Sequence, residues 1–200
     1  MGYREAIREI REIIGAADYE AAERRAASCG TKMGGAGDTR LLYLCCEVLR
    51  ATRVIETGVA YGWSSLAILA SLSKRPSSRL VSVDMPYPKM GNEQFVGVVV
   101  PKEFKGCWTL LRQPDRYGIE RAIAIHAGSI DLCHYDSDKS YYGRQWAYPR
   151  LWRSLRAHGI FISDDIQDNF AFKDFVESVD VDPIVVECEG KFVGICVKPN

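Results

Sequence analysis

The chain has 200 residues, 47% of them hydrophobic and 26% charged, so it is long enough for one domain with a proper core and is not disordered or fibrous. Its 26 basic and 26 acidic residues cancel, so no net field attracts nucleic acid or an anionic membrane, and no apolar run approaches the roughly 18 residues of a membrane span. The composition favours a soluble protein with a small-molecule partner.

Cysteine usage indicates the compartment. The seven cysteines are odd in number and form no Cys-x-x-Cys pair, which argues against a disulfide framework and a zinc site. Charged residues throughout the first twelve positions interrupt any signal-peptide core. We therefore expect a cytoplasmic protein. The sequence leaves its oligomeric state open, and a homo-oligomer is compatible with it.

Two predicted helices and a glycine-rich stretch open the chain, at 3–14, 18–28 and 30–37. We expect residues 1–37 to form a helical appendage with a glycine-rich loop, and residues 38–200 to form the main domain. Asp38 or Thr39 can cap the next helix, whose broad apolar stripe runs to about residue 51.

From residue 52 onward, short apolar strands alternate with helices, which is typical of a parallel sheet with right-handed crossovers and helices on both faces. The last segment differs, because two apolar runs flank a short polar turn and predict an antiparallel hairpin at the sheet edge. The predicted strands are 53–56, 80–84, 108–112, 130–136, 159–164, 183–187 and 192–198. The predicted helices between them are 64–72, 115–127, 140–157 and 169–178.

Two features interrupt this pattern. Pro149 lies inside a predicted helix, which should kink or restart there. Residues 85–107 are too long for an ordinary connection, and they form either a lid or a long surface loop with one short helix at Pro101. His126 and His158 are predicted at helix C-termini, where a protonated imidazole suits the helix dipole.

A glycine turn follows the first predicted strand. Gly58 and Gly62 allow a tight turn whose backbone amides approach a ligand, but Ala60 stands where a dinucleotide fold needs its second glycine. Glu56, before the turn, repels phosphate and can accept hydrogen bonds from a ligand ammonium group. Asp84, after the second strand, lies beside the same turn and could hold a ribose diol. Each acid has a structural alternative, a cap for Glu56 and a turn start for Asp84.

The turn Glu56-Thr57-Gly58-Val59-Ala60-Tyr61-Gly62 and the later segment Val81-Ser82-Val83-Asp84 resemble motifs I and II of class I S-adenosylmethionine-dependent methyltransferases. The resemblance extends from about residue 38 to the C-terminus. It implies a doubly wound, Rossmann-like α/β sheet of order 3-2-1-4-5-7-6, mostly parallel with an antiparallel last strand. It also implies that Glu56 holds the methionine ammonium, Gly58 lies under the cofactor and Asp84 binds the ribose. The further candidate cofactor residues are Tyr61, Gly62 and Ser64.

Acids also gather at the ends of the fourth and fifth predicted strands. Neighbouring parallel strands lie about 4.8 Å apart, so Asp136, Asp164 and Asp165 could share one cation. Oxygen ligands favour Mg²⁺, Mn²⁺ or Ca²⁺ over zinc. Without a cation the carboxylates would repel one another, and at least one should have a raised pKa. Asp168 is assigned to a helix cap, whereas Asp138 is either a cap or a functional residue.

These strand ends resemble the Asp-x-Asp-[His/Lys]-x-Tyr and Asp-Asp segments of small-molecule O-methyltransferases that use a divalent metal, including sugar, natural-product and catechol-type enzymes. The resemblance implies that Asp136, Asp164 and Asp165 are ligands of a divalent metal such as Mg²⁺. Asp138 or Lys139 then removes the acceptor proton. Asp138 ranks first, because the surrounding carboxylates favour the charged form of the lysine.

We therefore predict metal-assisted transfer of a methyl group from S-adenosylmethionine to a small-molecule hydroxyl. The alternatives are a nicotinamide-dependent oxidoreductase, a non-catalytic methyltransferase-like binding module, and a metal-dependent hydrolase or hydroxylase. The glycine spacing disfavours the first, and the last has no need of Glu56 and Asp84. His134 is predicted to be an ordinary, satisfied core histidine, and Tyr141 and Tyr142 either pack in the core or line an acceptor pocket.

Overall fold

The structure, a computed structural model, describes residues 3–85 and 91–200 of the chain. Within these residues the α-helices are α1 (Tyr3–Ile14), α2 (Ala16–Ala27), α3 (Thr39–Leu49), α4 (Trp63–Leu72), α5 (Asp115–Ile125), α6 (Tyr141–Ser154) and α7 (Ala171–Ser178). The strands are β1 (Arg53–Thr57), β2 (Arg79–Val83), β3 (Trp108–Leu111), β4 (Ile130–Tyr135), β5 (Leu155–Ser163), β6 (Ile184–Cys188) and β7 (Lys191–Val197). Short 3₁₀ helices span Glu93–Phe95, Lys102–Cys107 and Ile166–Asp168.

All these strands belong to one sheet of order β3-β2-β1-β4-β5-β7-β6. Strands β1 to β5 pair in parallel, and β7 is antiparallel to both β5 and β6. The strand order reverses between β1 and β4, so the carboxyl ends of these two strands border the crevice where doubly wound sheets bind ligands. The predicted doubly wound, Rossmann-like fold is thereby confirmed, including the C-terminal hairpin.

Successive strand residues pack against helices on opposite faces of the sheet. Val54 of β1 belongs to a cluster built with α1, α3 and α4, whereas Ile55 belongs to a cluster built with α5, α6 and α7. Leu80 and Val81 of β2 divide in the same way, and all four side chains are fully buried. Burial on both faces explains why the middle positions of these strands are apolar. The polar residues of β1 and β2 stand at the first position and toward the carboxyl end of each strand.

The N-terminal helices share the core of the main domain. Ala6, Ile10 and Ile14 of α1 recur every four residues and are buried in the same cluster as α3 and α4. Lys74, which follows α4, forms an ion pair with Glu9 of α1. The division into an appendage and a main domain at residue 37 stays a prediction.

Helix α6 differs from the prediction. It includes Pro149 and continues to Ser154, so the predicted restart at the proline does not occur. It then ends sooner than predicted, because Leu155 already has extended backbone angles and opens β5. The predicted strand begins at Gly159, but β5 already begins at Leu155.

The first half of β5 is irregular. Ile130 of β4 pairs with Leu155, but Leu132 pairs with Ile160, so β5 contains extra residues between the two pairs. His158 lies in this irregular part with a φ of 60°. It is therefore not at a helix C-terminus, and the prediction for it is wrong. His126 does follow the last residue of α5, as predicted.

The segment between β2 and β3 packs against the glycine turn. The backbone amides of Gly97 and Val99 donate hydrogen bonds to the carbonyl oxygens of Ala60 and Tyr61, 2.9 and 3.1 Å away. Val99 is fully buried. The predicted short helix is the 3₁₀ helix that begins directly after Pro101. The rest of the predicted lid or loop, residues 86–90, lies outside the described residues.

Candidate active site

The glycine turn touches the loop that follows β4. Gly58 has a φ of +78°, and a β-carbon built on it would lie 2.2 Å from the carbonyl oxygen of Asp136. Only glycine allows this close approach of two backbones. Gly62, with a φ of +95°, ends the turn at the start of α4. The carboxyl ends of β1 and β4 therefore form one continuous site.

Glu56 lies at the end of β1, as predicted, but its carboxylate is directed into the protein. It is fully buried and accepts hydrogen bonds from the hydroxyls of Ser64 (2.6 Å), Ser65 (2.5 Å) and Ser82 (2.6 Å). Both carboxylate oxygens are thus occupied by side chains of the protein.

Asp84 lies beside the turn, as predicted. Its Oδ2 accepts hydrogen bonds from the backbone amides of Val59 (2.8 Å) and Ala60 (3.3 Å), and its Oδ1 lies 3.5 Å from Arg112. Burial raises the pKa of Asp84, although the two amides and Arg112 oppose this. Asp84 therefore fixes the turn to the end of β2.

The glycine-rich segment, residues 30–37, crosses the site, which the sequence did not indicate. The Tyr61 hydroxyl donates to the carbonyl oxygen of Thr31 (2.8 Å) and accepts from the amide of Met33 (3.2 Å). At the far end of the segment, a β-carbon built on Gly37 would lie 3.2 Å from Oδ2 of Asp164. The segment thus extends from the glycine turn to the acids after β5.

The structure brings together the three acids predicted as metal ligands, here called the acidic cluster: Asp136, Asp164 and Asp165. The pairing of Tyr135 with Ser163 places Asp136 and Asp164 at adjacent strand ends, where the amide of Asp164 donates to the carbonyl oxygen of Tyr135 (3.0 Å). Asp165 is buried and adopts a left-handed conformation with a φ of 53°.

Two lysines neutralise the acidic cluster. Lys139 Nζ lies 3.1 Å from Oδ1 of Asp136 and also contacts the carboxylate of Asp165. Lys191 Nζ lies 3.1 Å from Oδ1 of Asp165. Burial and the charge of Asp164 raise the pKa of Asp136, as expected for crowded carboxylates. Burial opposes ionisation of Asp164, but nearby cations hold its pKa below the ordinary value.

Asp138 is set apart from the acidic cluster. It is exposed, and its Oδ1 accepts a hydrogen bond from the amide of Ser140 (2.9 Å). Ser140 itself caps α6, because its hydroxyl oxygen accepts from the amide of Gly143 (3.0 Å). Asp138 therefore supports the start of α6, whereas its neighbour Lys139 faces the acids.

His134 is not the ordinary core histidine that the sequence predicted. It is buried on β4, with Nε2 3.3 Å from Oδ1 of Asp164 and Nδ1 3.9 Å from Oε1 of Glu56. Burial disfavours the charged ring, but the two carboxylates outweigh it and raise the pKa of His134 to about 10. Its adjacency to Glu56 follows from the β1–β4 register, which the sequence alone does not give.

Arg144 is a second site residue that the sequence reasoning missed. It is fully buried, and its Nη2 donates to the carbonyl oxygens of Asp164 (3.3 Å) and Asp165 (3.0 Å). The guanidinium thus holds the backbone that carries two of the acids. One sequence feature could have indicated that Arg144 is buried. Spacings of three and four residues place it on the same helix face as Tyr141 and Tyr148.

The sheet has the strand order of class I S-adenosylmethionine-dependent methyltransferases. A glycine turn flanked by Glu56 and Asp84 lies where the strand order reverses, next to the carboxylates that follow β4 and β5, and this arrangement places the chain in that class. The chain belongs to the family described as "Methyltransferase domain", whose model matches residues 55–166. No curated protein matches the sequence significantly. Within residues 3–85 and 91–200, no helix has the length and apolar character needed to cross a membrane.

Solved structures share the fold at low sequence identity. Cofactor-bound Rv0187 from MTB is 17% identical, with a TM-score of 0.69 over 92% of this chain and 91% of that one. The O-methyltransferase from Bacillus cereus in complex with SAH is 14% identical, with a TM-score of 0.68 over 91% of each chain. TomG from Streptomyces achromogenes, an O-methyltransferase involved in tomaymycin synthesis and solved with SAM, is 16% identical, with a TM-score of 0.69 over 90% of each.

Proposed function

We propose that this enzyme transfers a methyl group from S-adenosylmethionine to a hydroxyl of a small molecule. The observation that carries the proposal is the backbone contact between Gly58 and Asp136, because it joins a cofactor-type turn to a cluster of acids. Similar structures whose titles name O-methyltransferases with SAM or SAH support the same activity. The balanced net charge favours a small acceptor over nucleic acid or a membrane.

We assign the cofactor to the carboxyl ends of β1 and β2. Gly58 and Gly62 let the turn approach the ligand, and we assign Asp84 to the ribose hydroxyls. We assign Ser64, at the start of α4, to the methionine end of the cofactor, beside the Glu56 carboxylate to which its hydroxyl donates. Tyr61 secures the glycine-rich segment over this site.

Calorimetry with S-adenosylhomocysteine tests the cofactor assignment. Glu56→Ala and Asp84→Ala should each weaken binding by roughly 1–3 kcal/mol, the range for loss of a charge-assisted hydrogen bond. Glu177→Ala removes an exposed carboxylate on α7 and should leave the affinity unchanged. Wild-type affinity in both site variants would refute the assignment.

We also propose that the acidic cluster holds a divalent cation, which by donor chemistry is Mg²⁺. Asp136 Oδ1 and Asp165 Oδ1 are buried, and each lies 3.1 Å from a lysine amine, that of Lys139 and that of Lys191, so both oxygens face a positive charge that a divalent cation would replace. Among the described residues no three acids, histidines or cysteines are already arranged around a common metal position, and the Lys139 amine lies between the carboxylates. When bound, such a cation supplies a Lewis acid for the acceptor hydroxyl.

Titration with MnCl₂, followed by electron paramagnetic resonance, tests the cation site. The wild-type protein should bind one equivalent, and Asp165→Asn should bind at least tenfold more weakly, whereas Asp174→Asn on α7 should match the wild type. EDTA should abolish turnover while S-adenosylhomocysteine still binds, because the cofactor site uses β1 and β2. No Mn²⁺ binding together with full turnover in EDTA would contradict the proposal.

We keep Asp138 as the first candidate for removal of the acceptor proton, because the Lys139 amine lies against the carboxylates of Asp136 and Asp165, and an ammonium group paired with carboxylates has no lone pair to accept a proton. Asp138→Asn should reduce turnover by roughly 10²-fold or more, the contribution of a positioned proton-transfer group. Its fold should stay intact, since asparagine accepts the same hydrogen bond from Ser140. Normal turnover in Asp138→Asn together with an inactive Lys139→Met would put Lys139 in first place.

We place the enzyme in the cytoplasm on the evidence of its thiols. All seven cysteines are free, and Cys46, Cys133 and Cys196 are buried. Free thiols in this number suit a reducing compartment. Thiol titration of the denatured protein purified from its source without reductant should find seven thiols, and a lower count would contradict this placement.

A further inference from the structure

Asp115, the first residue of α5, makes contacts beyond its own helix. An acid in the first turn of a helix is ordinarily favoured by the helix dipole alone. Here the carboxylate is partly buried, and its Oδ2 accepts a hydrogen bond from the hydroxyl of Ser137 (2.5 Å), in the loop after β4. Ser137 stands between Asp136, a proposed cation ligand, and Asp138, the first candidate for removal of the acceptor proton. Asp115 therefore connects α5 to the loop that carries both acids.

Tyr135 adds a second attachment of the same loop. Its hydroxyl donates to the carbonyl oxygen of Asp138 (2.8 Å) and lies 3.4 Å from Oδ2 of Asp115. Burial raises the pKa of Asp115, and the Ser137 hydroxyl and the Asp138 amide oppose this rise, which places both groups beside the carboxylate. Residues 135, 137 and 138 therefore converge on Asp115.

Helix α5 gives Asp115 a fixed position. A β-carbon built on Gly118 would lie 2.2 Å from Cγ1 of Val83, so the first turn of α5 packs closely against the end of β2. Ile119, the next residue, is fully buried in the same cluster as Val83. Residues 136–140, by contrast, form an irregular connection between β4 and α6. This connection takes its position from the rigid elements to which it is attached.

The second rigid element is β1. The hydroxyl oxygens of Ser137 and Thr57, the last residue of β1, lie 2.8 Å apart, and the amide of Asp136 donates to the Thr57 carbonyl oxygen (2.9 Å). The backbone contact with Gly58 fixes the carbonyl of Asp136. The side chain of Ser137 is thus held between β1 and α5, and it directs the loop beyond Asp136.

We propose that Asp115 is a positioning residue, which fixes Ser137 and thereby the loop that carries Asp136 and Asp138. It acts through Ser137 on the direction in which the two acids face the site. The roles of these acids in cation binding and proton removal rest on the proposed function, whereas the attachment of the loop to α5 does not.

Hydrogen exchange and Mn²⁺ titration of the ligand-free protein test this role. Asp115→Ala should increase exchange of the amides in residues 136–139 at least several-fold and weaken Mn²⁺ binding at least threefold, because the loop loses its attachment to α5. Asp115→Asn should stay within twofold of the wild type in both measurements, since its amide oxygen still accepts from Ser137. Asp18→Ala is the matched control, because it also removes an acid from the first turn of a helix, and it should change neither quantity.

Ser137→Ala removes the same hydrogen bond from the other side. It should reproduce the effects of Asp115→Ala, and the double variant should show little further change. Additive effects, exchange in Asp115→Ala equal to that in Asp18→Ala, or an Asp115→Asn variant as impaired as Asp115→Ala would each overturn the positioning role. So would an unchanged Mn²⁺ affinity in Asp115→Ala when the wild type binds the ion.

The outcomes separate this proposal from the proposed function. If the wild-type protein does not bind Mn²⁺, the proposed cation site fails, and hydrogen exchange still tests the attachment of the loop to α5. If Asp115→Ala does not fold, Ser137→Ala takes its place, and wild-type exchange of residues 136–139 in that variant overturns the proposal.

Discussion

At the scale of single residues, the site depends on a backbone contact between Gly58 and Asp136 that a β-carbon at residue 58 would prevent. Gly58 and Gly128 both have positive φ, at +78° and +77°, so both positions disfavour a side chain equally. They differ in the room available for a side chain, because a β-carbon at Gly58 would overlap the Asp136 carbonyl, whereas one at Gly128 would meet nothing within 4 Å. Comparing the two glycines separates backbone strain from the close approach.

Gly58→Ala should lower the free energy of unfolding by more than Gly128→Ala, for which strain alone costs roughly 1–2 kcal/mol. It should also weaken S-adenosylhomocysteine binding at least tenfold, because the turn and the loop after β4 must move apart. Urea unfolding and calorimetry on both variants measure the two effects. Equal stability loss, with cofactor affinity intact in both, would show that the contact at Gly58 is unimportant.

At the scale of elements, helix α2 supports the segment before β3 through one side chain. Arg25 donates from Nε to the carbonyl oxygen of Val98 (2.9 Å) and from Nη2 to that of Val99 (3.2 Å). These carbonyls belong to the segment whose amides bond to the glycine turn. The helix therefore acts on the cofactor turn indirectly, through the connection between β2 and β3.

Arg25→Met should increase hydrogen exchange of the amides in residues 95–100 at least several-fold, because two carbonyl anchors are lost while the aliphatic packing is kept. Arg24→Met is the control, since among the residues that the structure describes the Arg24 side chain forms one exposed ion pair, with Glu20 at 3.8 Å. Mass spectrometry after timed deuteration measures the difference. Identical exchange in both variants would mean that the segment is held by its other contacts.

At the scale of the whole molecule, stability at acidic pH depends on Asp131, which joins three strands. Its Oδ2 accepts from the amides of Thr52 (2.8 Å) and Arg53 (2.9 Å) beside β1, and its Oδ1 accepts from Arg156 of β5 (2.7 Å). Burial opposes ionisation, but these donors outweigh it and lower the pKa of Asp131. The charged carboxylate is therefore favoured in the folded state.

Because the folded pKa of Asp131 lies below the unfolded value of about 3.9, its contribution is fully present above that pH and disappears as the pH falls through the folded value. Asp131→Asn should lower the free energy of unfolding at pH 7 by roughly 1–3 kcal/mol. The difference in the free energy of unfolding between Asp131→Asn and the wild type should become smaller below about pH 4. Urea unfolding at pH 7 and pH 3 measures this difference, and a difference that stays constant would contradict this account.

The fold was predictable because alternating strands and helices admit few sheet orders, and the acidic cluster was predictable because parallel strands end at a common edge. The directions of Glu56 and Lys139 were not, since each depends on which neighbours fill the interior. His134 and Arg144 were missed because their roles arise from strand register and helix packing. The end of α6 was misplaced because β5 begins at Leu155 with an irregular stretch, whose register the sequence does not show.

The left-handed backbone of Asp165 limits how this position can evolve. Asparagine and glycine tolerate that conformation, whereas glutamate keeps the charge but adds a methylene to a buried, strained residue. For folding alone, asparagine should therefore be accepted before glutamate at this position, although glutamate is the more conservative exchange by charge. A library randomised at residue 165 and selected only for folded protein should be enriched in Asp, Asn and Gly, because the backbone conformation restricts which residues fold here.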